Sequence, residues 1–199
     1  MIDDVGTAES VGTRAHRLAE TERKLEAAIA QLGALADRMA IQDLLNAYCR
    51  GSDRADLAVM KALYHPGCID EHGIFTGSGE AFAEMLVPWL RANYRMMQHH
   101  HSTTSFDISG DAAGVETYFL CVMETAQGDL EFSSGRAADT LEKRDGRWGF
   151  VHRKIIMDWT IEAPKPTPIK SAGQFPTSGY GADDPSYQAL PTLRDTVFR

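Results

Sequence analysis

Three of the chain's seven histidines stand together in Met97-Gln98-His99-His100-His101-Ser102-Thr103-Thr104. Imidazole changes charge near neutral pH, so such a run can supply a general base or metal ligands. A histidine works best as a base when a carboxylate accepts its second N–H, which fixes the tautomer and stabilises the imidazolium. Asp53 is the best candidate for that carboxylate. It sits where two amphipathic helical patterns meet, and an acid turned inward there needs a partner to offset its desolvation. The chemistry implied is proton abstraction from carbon or hydroxyl of a mostly apolar substrate, followed by loss of a β leaving group. Plainer alternatives stay open: Asp53 or Asp56 caps the second helix, and the histidines are exposed, or are core groups bonded to backbone. A zinc or iron site built from His72, His99, His100 and His101 is disfavoured, because adjacent strand residues point to opposite faces. Neither metal nor cofactor is expected.

The elements that must position these groups are helices first and strands after. From about Thr13, Leu18, Leu25, Leu32 and Met39 recur every seven residues with Ala28, Ile29 and Leu35 beside them, a short coiled-coil seam or a plain surface helix. Gly33 weakens it by about 1 kcal/mol. Asp37 can cap a second helix through Ile41, Leu44, Leu45 and Tyr48, ended by Gly51. A third then runs from Ser52 or Asp53 to the stop at His65-Pro66-Gly67. A strand at Cys68 to Phe75 precedes a helix marked by Phe82, Met85, Leu86, Trp89 and Leu90, with a kink at Pro88. The histidine run leads into the alternating strand Ser105 to Ile108. There Phe106 and Ile108 share parity with His100, whereas His99 shares it with His101, so only one set faces a cavity unless a bulge intervenes. Further strands are expected at Gly114 to Glu124, Leu130 to Leu141 and Trp148 to Trp159, joined by turns at 126–129 and Asp145-Gly146. The fold class is therefore α+β, a curved antiparallel sheet wrapped over three helices, with an extra N-terminal helix. The domains expected are an N-terminal packing or oligomerisation helix at 1–37, an α+β domain at 38–160, and an irregular Pro- and Gly-rich tail at 161–199 that wanders or straps a neighbouring subunit.

Composition narrows the function. With 199 residues, 43% of them hydrophobic, the chain can bury one domain's core. A formal net charge of -8 offers no basic field for nucleic acid or an anionic membrane, so small molecules or protein partners fit better. The acidic start Met1-Ile2-Asp3-Asp4 is unlike a signal peptide, no stretch is apolar enough to span a bilayer, and Cys49, Cys68 and Cys121 are scattered without a CxxC motif. A cytoplasmic protein with reduced thiols is expected.

Several pieces together resemble a known family. They are Ala40-Ile41-Gln42-Asp43-Leu44-Leu45, Tyr48 with Asp53 five residues on, Gln98-His99-His100, and Arg144-Asp145-Gly146-Arg147-Trp148 followed by His152-Arg153 and Asp158-Trp159. From about Arg38 to Thr160 the chain resembles the SnoaL-like branch of the nuclear-transport-factor-like superfamily. That group includes scytalone dehydratase, bile acid 7α-dehydratase, hexachlorocyclohexane dehydrochlorinase and γ-formaldehyde lyases of lignin-derived diarylpropanes. The resemblance implies a cone-shaped α+β barrel, often trimeric or dimeric, with Asp53 and His99 as the catalytic dyad. It matches Tyr48 to a tyrosine ahead of the aspartate in bile acid dehydratase, able to donate to the departing oxygen or simply to pack in the core. Glu124 lies near the place of a second active-site histidine in scytalone dehydratase, a departure that leaves the acid half unassigned. Glu124, His100, Trp89, Tyr118 and Arg136 are expected to bind substrate, although Glu124 equally suits solvent and Arg136 suits pairing with Glu124 or Asp139. The function expected is a cofactor-independent lyase acting on a hydrophobic, hydroxylated aromatic or polycyclic substrate, with loss of water or formaldehyde. Isomerisation or cyclisation on the same dyad is one alternative. The other is a non-catalytic module like the small subunit of ring-hydroxylating oxygenases.

Overall fold

A computed structural model describes residues 11–167 and 172–189. Helix α1 is a single element, Val11–Asp53, where a break near Asp37 and a stop at Gly51 were expected. No proline interrupts it, and Arg38-Met39-Ala40-Ile41 continues with good helix formers. Gly51 serves packing instead: a Cβ there would stand 2.9 Å from Val59 Cγ1. The chain nevertheless divides into two compact units after Met39. In the first, Leu18, Leu25, Leu32 and Met39 are exposed; in the second, Ile41, Leu44, Leu45 and Tyr48 are buried.

Asp56 is the cap of α2 (Leu57–Ala62), accepting from the Ala58 and Val59 N–H groups at 3.1 Å. Helix α2 ends before Tyr64, which already belongs to a strand. The single strand expected next is a hairpin, β1 (Tyr64–His72) with β2 (Phe75–Ser78), because Gly73 takes positive φ between them. Ser78 then caps α3 (Gly79–Asn93) through the Ala81 N–H, with Pro88 inside the helix. Four long strands follow: β3 (Tyr94–Ser109), β4 (Ala112–Thr125), β5 (Leu130–Arg144) and β6 (Arg147–Ala163). The β5–β6 turn has positive φ at both Asp145 and Gly146, the two-residue hairpin that this dipeptide favours.

Six strands in the order β2-β1-β6-β5-β4-β3 form one curved sheet. All neighbours are antiparallel except β1 and β6, which run parallel, a correction to the all-antiparallel expectation. The parallel pairing arises because α3, β3, β4 and β5 intervene in sequence and β6 returns beside β1. The inner face, including Met97, Val115, Cys121, Met123, Leu141 and Phe150, packs on α1, α2 and α3 in one core. The fold is thus α+β and cone-like, as expected. The described part of the tail holds short turns at Ala172–Gln174 and Gly181–Asp183 and a brief helix α4, Ser186–Ala189. It lies on its own domain: Asp184 pairs with Arg54 at 3.1 Å and the Tyr187 hydroxyl donates to Asp56 at 2.8 Å. The tail's last ten residues fall outside the described residues.

Candidate active site

Because Asp56 caps α2, the carboxylate of Asp53 at the end of α1 is left to meet the neighbouring strand. Asp53 Oδ1 lies 2.6 Å from His99 Nδ1, and the His99 backbone N–H donates to both carboxylate oxygens at 3.1 Å. Strand β3 is a sheet edge, so that N–H is not needed by a ladder and a side chain can take it. With the carboxylate as acceptor, Nδ1 carries the proton and Nε2 is the nitrogen left to act as a base. The two side chains are 13% and 15% exposed and open on a cleft of about 450 Å³, lined also by Asn46, Cys49, Arg50, Arg54 and His101.

The parity conflict is resolved by a bulge. His101 pairs with Phe119 but Thr104 with Thr117, so β3 spends one residue more than β4 between those pairs. Strand alternation therefore slips by one at Ser102-Thr103. His99 and His101 face the core together with Thr104, Phe106 and Ile108, which are half-buried, whereas His100 is exposed on the other face and only reaches the rim of the cleft.

Charge and burial tune these groups. Burial alone would push the His99 imidazole down; Cys121, across the β3–β4 ladder with its thiol in hydrogen-bonding reach, and Asp53 together outweigh it and hold the pKa above its ordinary value. His101 goes the other way, pushed down to about 4 by burial and by the positive charges of Arg153 and His99. Its Nε2 lies 3.2 Å from Cys49 Sγ, and burial pushes that thiol up to about 12, so it stays protonated. Tyr48 is buried, meets His99 edge-on with ring centres 6.1 Å apart, and is kept a neutral phenol by desolvation.

Beyond Tyr48 lies a buried ionic row. Arg153 is 1% exposed, its guanidinium carbon 3.7 Å from the Tyr48 ring centre, between Asp139 on β5 and Asp70 on β1. Arg153 Nη1 is 3.6 Å from Asp139 Oδ2, an ion pair too long for a hydrogen bond. Burial, opposed by Arg153 and aided by Asp70, pushes Asp139 up to about 6. Tyr64 donates to Asp70 at 2.8 Å. Among the described residues, Arg153 Nε and Nη1, both Asp139 oxygens, Thr117 Oγ1 and His101 Nδ1 are buried without a hydrogen-bond partner.

The structure brings Asp53, His99 and Tyr48 together but not the substrate-binding set. Glu124, Tyr118 and Arg136 lie on the outer face, because their ladder partners Met96, Arg136 and Tyr118 have the parity opposite to Met97 and His99. There Glu124 pairs with Arg95 at 3.4 Å, and Arg136 with Glu116 at 3.6 Å instead of Glu124 or Asp139. Trp89 is exposed on α3 and packs against Tyr94. Cys49, Cys121, Asp70 and Asp139 are not singled out in the sequence as site residues, and His101 is weighed there only as a metal ligand. Of the adjacent pair His152 and Arg153, Arg153 meets Asp139 inside, while His152 meets Glu71 at 2.6 Å outside. Among the described residues no group of three or more His, Cys, Asp and Glu side chains could hold a metal ion. None of the described helices is long and apolar enough to cross a membrane.

The cone-like α+β fold that carries this cleft agrees with sequence comparison. Residues 33–154 match the SnoaL-like domain, and the chain belongs to that family, which groups it with small-molecule-processing proteins. Among solved structures, a type 2 hexachlorocyclohexane dehydrochlorinase (LinA) is similar at 23% identity and TM-score 0.64, covering 70% of this chain and 99% of the other. A type 3 LinA from Novosphingobium barchaimii LL02 is similar at 23% identity and TM-score 0.62, again over 70% and 99%. A scytalone dehydratase-like protein from Novosphingobium aromaticivorans DSM 12444 is similar at 22% identity and TM-score 0.60, over 67% and 94%. At such identities the likeness is one of fold. No curated protein matched the chain.

Proposed function

We propose that the protein is a lyase in which His99, oriented by Asp53, takes a proton from a small hydrophobic, hydroxylated aromatic or polycyclic substrate. The observation that carries this reading is the 2.6 Å contact between His99 Nδ1 and Asp53 Oδ1 at a cleft of about 450 Å³. A carboxylate bound to one ring nitrogen makes the other a stronger base. In dehydration the C–H proton passes to His99, the C–H electrons form the new double bond, and the C–O bond breaks with its pair leaving on oxygen, which takes that proton back from the His99 imidazolium as water forms. In formaldehyde release the α C–O bond of a phenolic substrate breaks first, expelling water and leaving a quinone methide. The base then takes the hydroxymethyl O–H proton, the C–C bond breaks to free formaldehyde, and its electrons restore the phenolate ring. Neither sequence requires a cofactor, only a base and an electron acceptor within the substrate. Tyr48, a neutral phenol beside His99, is positioned to steady the ring and serves packing first.

Incubation with a panel of hydroxylated diarylpropanes, other phenols and steroids, read by mass spectrometry, tests the proposal. A product lighter by the mass of water, or of water and formaldehyde together, abolished in folded His99→Ala, supports it. A dyad without turnover on any of the panel, with His99→Ala indistinguishable from wild type in binding a partner protein, would instead favour the non-catalytic module. Interconversion at unchanged mass would favour an isomerase. The same reading has the protein act as a homotrimer or homodimer: outer-face Tyr118, Trp159 and Ile161 are large, apolar and exposed.

A further inference from the structure

We infer that His101, held by Cys49 as the neutral Nδ1–H tautomer, is the group that receives the departing oxygen of the substrate by donating a hydrogen bond to it. This rests on the lyase reading, in which His99 takes the proton, and supplies the contact to the departing oxygen that the sequence leaves unassigned.

The tautomer follows from who can donate. Cys49 Sγ stands 3.2 Å from His101 Nε2, and burial keeps the thiol protonated, so an S–H is at hand to donate to Nε2, the direction we infer. The single ring proton must then sit on Nδ1. That nitrogen is buried with no partner among the described residues, and a buried donor left unpaired costs free energy until an acceptor reaches it. His101 stays neutral because burial, Arg153 and His99 all oppose a second proton. A neutral imidazole of this kind donates a hydrogen bond to developing negative charge without being a competing base.

Position suits the role. The bulge at Ser102-Thr103 leaves His99 and His101 on one face, two residues apart on one strand, and both line the cleft. Their backbones are thus about 6.5–7 Å apart, room for a substrate C–H at one ring and its β oxygen at the other. Donors aimed at a developing oxyanion are among the stronger contributors to catalysis. Cys49 would act through His101, as a positioning residue.

Nitrogen-15 NMR of histidine-labelled protein reads the tautomer directly. The expected result is an Nδ1–H signature for His101 in wild type and in Cys49→Ser, which keeps a donor, and its loss in Cys49→Ala. An Nε2–H tautomer in wild type, or no change in Cys49→Ala, overturns the inference. With 4-nitrophenol as an oxygen probe, the His101 Nδ1–H resonance should shift in wild type, and binding should weaken in His101→Leu; an unmoved resonance at saturating probe counts against it. On the substrate that the panel yields, His101→Leu should lower kcat by about 10²–10³ with KM little changed, as for removal of one oxyanion donor. His101→Asn, whose amide N–H replaces Nδ1–H, should recover most of it and guards against a folding defect in the leucine variant. Undiminished kcat in His101→Leu, with His99→Ala inactive, sinks this inference and spares the dyad. An active His99→Ala sinks the dyad, while the tautomer and probe arms still judge His101.

Discussion

At the scale of single residues, the chemistry hangs on how two imidazoles on one strand are pushed apart in pKa. Against its burial, Cys121 and Asp53 raise His99, whereas burial first, and then Arg153 and His99, lower His101, so one favours its proton and the other does not. For His99 the sign is clear: its folded pKa exceeds the unfolded value of about 6.5, so the stability it contributes is full below that pH and is lost as pH rises through the folded value. Urea unfolding of wild type and His99→Ala should therefore converge at alkaline pH. Catalysis runs the opposite way, since only the deprotonated ring is a base. kcat/KM should rise with pH to a midpoint above about 6.5, and Asp53→Asn should lower both that midpoint and the plateau, the latter by roughly 10²–10⁴. Arg153 is a second residue with a large expected effect, because it is the buried cation between Asp70 and Asp139. Arg153→Met leaves two buried acids without a counter-charge and should cost about 3–5 kcal/mol in denaturant unfolding. Arg153→Lys should fall between, keeping the charge but losing the planar stack on Tyr48.

At the scale of elements, the bulge in β3 and the cap of α2 decide where the reactive groups point. Deleting Thr103 restores simple alternation, so either His99 and His101 or Thr104, Phe106 and Ile108 must turn outward. The expected outcome is loss of turnover together with destabilisation on the order of 1.5–3 kcal/mol for each large apolar side chain expelled, read by thermal unfolding. Asp56→Ala removes the α2 cap and also the acceptor for Tyr187, so its cost should exceed the roughly 1 kcal/mol of an isolated cap. Tyr187→Phe should cost about 0.5–1.5 kcal/mol and measures the tail's share alone.

At the scale of the whole molecule, two apolar surfaces stand exposed among the described residues: the heptad row Leu18, Leu25, Leu32 and Met39, and the outer face of the sheet around Tyr118, Trp159 and Ile161. Light scattering should give a multiple of the chain mass. Trp159→Glu should lower that mass if the sheet face is the principal contact, and Leu25→Glu with Leu32→Glu should lower it if the helices associate as a coiled coil. A monomer at all concentrations would refute the homo-oligomer.

The sequence by itself determined what depends on near neighbours. Apolar spacing made the helical core face of Ile41, Leu44, Leu45 and Tyr48, the Asp145-Gly146 turn closed β5 on β6, and the order of motifs carried the family resemblance. The Asp53–His99 pairing was legible too, through that resemblance, although forty-six positions separate the two. The tertiary structure alone decided what depends on register. Counting back from the Asp145-Gly146 turn pairs Asp139 with His152, and only the bulge between Thr140 and Leu141 moves Asp139 opposite Arg153. The bulge at Ser102-Thr103 likewise put His101 inside and His100 outside, and strand parity placed Glu124, Tyr118 and Arg136 away from the cleft. A one-residue slip costs little in local propensity yet reverses every side chain beyond it, so it is fixed by the packing of the whole sheet on its helices.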